Sequence, residues 1–141
     1  MRKRIAAAAF WIYLVVLLRI TVFRSGWYHN DFFQGNIDLV PFQSIFSYLN
    51  TGQWRYFIYL FGGNVLWFVP FGLYLSTKGR RLLSAVLFTA LLSFLIEGLQ
   101  FILSTGQSET EDIILNTLGG VLGWLAWRGI SKWKDKNTAA T

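Results

Sequence analysis

Carboxylates, carboxamides and one guanidinium recur where the surrounding chain is almost wholly apolar. Glu97 and Gln100 stand three residues apart inside the run Leu82–Leu103, and Asp112 and Asn116 stand four apart at the head of a Gly-rich run. Both spacings place the pair on one face of a helix. Asn64 interrupts a third apolar run and Arg19 a fourth. Groups of this kind can hold a polar head group. They can also move protons between a deeper carboxyl, kept protonated by desolvation, and a shallower one left ionised. Glu97 and Asp112 are the pair for that acid–base role. The plainer alternative is that Asn64, Glu97 and Asn116 tie helices together by hydrogen bonds. Glu109 and Glu111 read as helix N-terminal caps, because Ser108-x-x-Glu111 fits a capping box and acids suit a helix N-terminus. The chain has no cysteine and one histidine, His29. That excludes disulfides, a thiolate nucleophile, thiolate metal sites and a multi-histidine site, so neither a metal nor a cofactor is expected.

The elements that position these residues are membrane spans. The chain is 54% hydrophobic and 14% charged, against about 25% charged residues in soluble domains. Four apolar runs approach the ~20 residues a span needs, at about 5–23, 57–75, 82–103 and 109–127. They predict an all-α, integral-membrane four-helix bundle forming a single domain over 1–141, with a disordered tail from about 135 to 141. The first run is too long for a signal peptide and lacks a clear cleavage site. Ten of the 13 basic residues (Arg2, Lys3, Arg4, Lys78, Arg80, Arg81, Arg128, Lys132, Lys134 and Lys136) fall on one side of alternating spans. The positive-inside bias then places both termini in the cytoplasm. A net charge of +6 lying at helix ends describes a membrane topology, not a nucleic-acid surface.

The segment 24–55 is then extracytoplasmic. Within it Phe42, Ile45, Phe46 and Leu49 form one helical face between Pro41 and Gly52, which predicts a short helix lying in the outer interface. Counting at ~1.5 Å per residue, Asn64, Glu97 and Asn116 each lie roughly 9–11 Å below the outer end of their span. Gln100, Asp112 and Arg19 lie about a turn higher, with Arg19 the expected partner of Glu97 and Asp112 competing for it. Gly119, Gly120 and Gly123 continue the Asp112–Asn116 stripe, and small residues at that spacing turn it towards a neighbouring helix. Pro70 predicts a kink in the second span, with Gly62, Gly63 and Gly72 allowing close packing.

Four pieces in order resemble the VanZ-like family: Asn36-Ile-Asp-Leu-Val-Pro-Phe42, Asn64 followed by Pro70-Phe-Gly72, Glu97-Gly-Leu-Gln100, and Ser108-Glu-Thr-Glu-Asp112 running into Asn116-Thr-Leu-Gly119-Gly120. Together they cover Asn36–Gly123 and add Asn36 to the polar layer. The family often carries an arginine before an Asp-x-Asp-Asp cluster. Here Gly106 and Gln107 stand in that place and the acids read Glu109-Thr-Glu111-Asp112, so a role for that arginine would pass to Arg19 or Arg24. The resemblance implies a protein of the bacterial cytoplasmic membrane acting at its outer face. The family's name member is linked to low-level teicoplanin resistance. The leading expectation is a binder in the bilayer whose polar layer takes the head group of an envelope lipid precursor or lipoglycopeptide at that face. An enzyme acting on a lipid-linked substrate is the alternative. Transport by four spans without a repeat would call for a homo-oligomer, and a purely structural role would leave every polar substitution neutral.

Overall fold

A computed structural model describes residues 2–23, 32–33 and 35–139. Its elements are α1 (Arg2–Thr21), β1 (Asn36–Asp38), α2 (Gln43–Asn50), α3 (Trp54–Thr77), α4 (Leu82–Leu103), β2 (Gln107–Glu109) and α5 (Thr110–Ala139). Four helices, α1, α3, α4 and α5, are long and apolar enough to cross a membrane. The 24 residues of α3 reach ~36 Å at the helical rise, against a hydrocarbon core of ~30 Å. Trp11, Ile12 and Val15 of α1, Leu66 of α3, and Leu83, Leu87, Leu91 and Phe94 of α4 lie exposed around the bundle. In water such a surface would be a large apolar patch; in lipid it is ordinary. The turn from α3 to α4 closes on Gly79, whose φ of 71° is left-handed, and the Arg80 N–H reaches back to the Leu75 carbonyl at 3.2 Å. That geometry ends a helix by satisfying its last carbonyls.

Three details depart from the sequence expectation. The chain is not wholly helical: β1 and β2 pair in parallel, with Asn36 opposite Gln107 and Asp38 opposite Glu109. The segment before β1 is seated on the end of α4, where the Phe33 N–H bonds to the Ile102 carbonyl at 3.0 Å. A Cβ on Gly35 would lie 2.8 Å from the Phe101 Cα. Residues 135–139, expected to be disordered, continue α5 to Ala139. The helix α2 does not lie free on its apolar face. Ile45 is buried against Val65 and Leu115, and Phe42 and Leu49 pack beside it, leaving Phe46 exposed.

The closest helix pair is α3 with α5. A Cβ at Gly119 would come 2.1 Å from the Val65 carbonyl oxygen, one at Gly123 2.0 Å from that of Val69, and one at Gly72 1.7 Å from that of Gly120. Backbone therefore meets backbone along the predicted glycine stripe. Gly62 and Gly63 meet nothing within 4 Å, so close packing in α3 belongs to Gly72. The helix continues through Pro70. Beside it, α1 docks by the Tyr13 hydroxyl, which donates to the Trp67 carbonyl at 2.7 Å, and by Phe10 stacking on Tyr74. A second core joins Leu17 and Val22 from the end of α1 to Phe68 and Ile96.

Candidate functional site

At the end of the bundle where α1 and α4 finish and α3 and α5 begin, the helices part around a cavity of about 300 Å³. One face of α3 supplies Tyr56, Tyr59, Leu60, Gly63, Asn64 and Trp67, positions spaced by three and four residues as a helical face requires. Helix α4 supplies Ile96, Glu97 and Gln100, α5 supplies Asp112 and Asn116, and β2 supplies Gln107 and Glu109. Ile20 and Thr21 of α1 and Tyr48 of α2 complete the wall. Five of the seven residues of the expected polar layer meet here: Asn64, Glu97, Gln100, Asp112 and Asn116.

Each is held by a specific contact. The Asn64 amide donates to Asp112 Oδ1, linking α3 to α5. Glu97 is 6% exposed, and its Oε2 accepts the Glu109 N–H at 3.0 Å while its own carbonyl accepts the Ser108 hydroxyl at 2.7 Å. The α4 carboxylate thus anchors β2 against α4. Gln100 Nε2 donates to the Thr21 carbonyl at 3.2 Å, and Asn116 Nδ2 to Ser93 Oγ at 2.8 Å. The Gln100 Oε1 and Asn116 Oδ1 atoms are buried without a donor. A buried acceptor without a partner is costly, and oxygens left in this state beside a cavity are groups a ligand can satisfy.

The other two expected residues stay out of the cavity. Arg19 lies on the exposed side of α1, and its guanidinium donates to the Phe23 carbonyl. Packing of Leu17 and Val22 into the core sets the rotation of α1 and turns Arg19 away. Asn36 is exposed on β1 opposite Gln107. Arg55 is exposed at the start of α3, and Arg24 and His29 lie outside the described residues. Among the described residues, no lysine or arginine lines the cavity.

The two glutamates read as caps do more than cap. Ser108 and Glu111 do not form a capping box, because neither Glu111 oxygen accepts a backbone N–H, and α5 begins at Thr110, so the expected register is displaced. Glu111 is 2% exposed, and its oxygens have no hydrogen-bond partner other than the neighbouring Glu109 carboxyl. Glu109 lines the cavity, with Ser44 Oγ 3.5 Å from its Oε2. Its carboxyl is pushed up to about 7, first by burial, then by the negative charges of Asp112 and Glu111, contact with the Glu111 carboxyl, and the charge of Asp38. The density of acids in Ser108-Glu-Thr-Glu-Asp112 was the available signal for this cluster. The tyrosines at 56 and 59 were readable as continuing the Gly63–Asn64–Trp67 face.

The chain is similar to "Protein VanZ" of Enterococcus faecium, 33% identical over 121 residues, which is 79% of this chain and 66% of that protein. The chain therefore spans just under two thirds of the length of this curated relative. No solved structure matches it. The VanZ/LLP1 family model matches residues 10–132, most of the chain, and the protein is a membrane protein belonging to that family.

Proposed function

We propose that the protein binds the polar head of a cell-envelope component, or of a glycopeptide-type antibiotic, at the outer leaflet of the bacterial cytoplasmic membrane, contributing to teicoplanin-type resistance or envelope homeostasis. The observation that carries this reading is the cavity itself. It is acceptor-rich, with Glu97, Glu109, Asp112 and the free amide oxygens of Gln100 and Asn116, and aromatic, with Tyr48, Tyr56, Tyr59 and Trp67. Such a wall suits a head group presenting hydroxyl, amide or amine donors, with its apolar faces against rings. The positive-inside bias supports both termini in the cytoplasm, which puts the cavity at the outer end. It also puts α2, with Phe46 exposed, at the outer interface.

The test is teicoplanin and vancomycin susceptibility in a susceptible Gram-positive host expressing wild type, Glu97→Gln or Asp112→Asn, with membrane levels measured. Both substitutions keep an oxygen to accept the bonds from the Glu109 N–H and the Asn64 amide. They remove charge and leave the scaffold. Selective protection against teicoplanin by wild type, lost in either variant at equal abundance, is the expected result. Undiminished protection by both variants overturns the reading.

A second reading draws on a different observation. A cavity carboxyl with a pKa of about 7, that of Glu109, suits proton transfer at neutral pH. With Glu97 and Asp112 as the other carboxyls, the site would act on a lipid-linked envelope substrate. Turnover of a labelled lipid precursor by purified protein separates this from binding alone.

A further inference from the structure

We propose that Glu109, Glu111 and Asp112 hold a hard divalent cation such as Ca²⁺ at the junction of β2 and α5. One carboxylate oxygen from each residue lies within 4.8 Å of the others. Like charges at this spacing need a neutralising partner, either a proton or a cation.

The second observation is independent of that spacing. Glu111 is 98% shielded from solvent, and beyond the neighbouring Glu109 carboxyl neither of its oxygens has a hydrogen-bond partner. A buried ionised carboxylate persists only when paired or on a metal. A proton shared with Glu109 would satisfy one oxygen; a cation satisfies the group. Asn116, one helical turn beyond Asp112 and 3% exposed, keeps its Oδ1 without a donor in the cavity that Glu109 and Asp112 also line.

The donor set names the class of ion. All three ligands are carboxylates, with neither thiolate nor imidazole, which suits Ca²⁺ or Mg²⁺ and not zinc or copper. Of the two, Ca²⁺ takes several carboxylates in flexible geometry, whereas Mg²⁺ usually keeps most of its waters, so an all-carboxylate set suits Ca²⁺ better. The cluster is also held in place from outside itself. The Glu109 N–H is fixed by Glu97, β2 is paired to β1, and Asp112 is fixed by Asn64. The start of α5 opposes a cation with about half an elementary charge, which three carboxylates outweigh. The lack of cysteine and the single histidine exclude thiolate and multi-histidine sites but not an all-oxygen one.

The inference goes beyond the binding role above and does not rest on it. The full chain, purified in detergent and stripped with chelator, is titrated with CaCl₂ by calorimetry. One saturable site per chain is expected, weakened about tenfold or more in Glu109→Gln and in Glu111→Gln. Glu109 is only half-buried, so its variant keeps the test open where the change at Glu111 prevents folding. An absence of saturable heat up to about 10 mM Ca²⁺, above the range of extracellular Ca²⁺ modules, overturns the proposal. So does an unchanged affinity in the folded variants. Saturable, Glu109-dependent Ca²⁺ binding by a protein that gives no teicoplanin protection supports the site and removes the resistance reading alone.

Discussion

Gly119→Ala is a sharp test of how the cavity is held open. The added Cβ would sit 2.1 Å from the Val65 carbonyl oxygen and 2.9 Å from its carbon, atoms of the α3 backbone that no rotamer change can move. Relaxing that contact to the roughly 3.3 Å of a close C–H···O approach requires α5 to retreat from α3 by about 1 Å. The retreat would be transmitted to Asp112 and Asn116, which share the stripe, and would stretch the bond from Asn64 to Asp112. Overpacking of this kind costs about 1–3 kcal/mol, a fall in melting temperature of roughly 3–10 °C for a chain of this size. The control is Gly129→Ala on the same helix, where a Cβ meets nothing within 4 Å; there the better helix propensity of Ala is worth up to about 1 kcal/mol in the other direction. Thermal unfolding of both variants in the same detergent, followed by tryptophan fluorescence, gives the comparison. If Gly119→Ala melts with or above Gly129→Ala, backbone contact between α3 and α5 does not define this bundle.

The titration of Glu109 carries a sign. Its folded-state pKa of about 7 lies above the ordinary 4.5. Its contribution is therefore fully present below about pH 4.5 and is lost as pH rises through 7. In chelating buffer the Glu109→Gln protein, permanently neutral there, should show a flatter melting profile between pH 5 and 8 than wild type, and parallel profiles would refute the assignment. Tyr13→Phe removes the bond to the Trp67 carbonyl while leaving the ring in place. A loss of about 0.5–1.5 kcal/mol in detergent unfolding is expected, and no loss at all would mean that the hydroxyl does not dock α1.

Much of the cavity lining was readable before the fold, because a helix has a constant rise. Hydropathy located the ends of the spans, and counting residues from those ends brought Asn64, Glu97 and Asn116 to one depth. The i, i+3 and i, i+4 spacings brought Gln100 and Asp112 beside them, and the cavity unites all five. Arg19 shows the limit of that method. Depth along α1 follows from sequence, but rotation about its axis is set by which residues are packed, and Leu17 and Val22 take the inward face. The pairing of β1 with β2 was hidden because three-residue strands show no alternation long enough to recognise. Glu111 misled for a related reason: an acid in a first turn looks like a cap until its burial is known.

The sequence by itself determined the environment and the layering of this protein. Apolar runs long enough to span, basic residues at alternating ends, and polar residues at shared depths are consequences of helical rise and of the cost of exposing charge to lipid. The tertiary structure decided which polar groups meet. It turned Arg19 outward, engaged Glu97 with the Glu109 N–H and buried Glu111 among carboxylates. Those outcomes depend on helix rotation and on contacts between residues distant in the chain, such as the close α3–α5 approach along the glycine stripe.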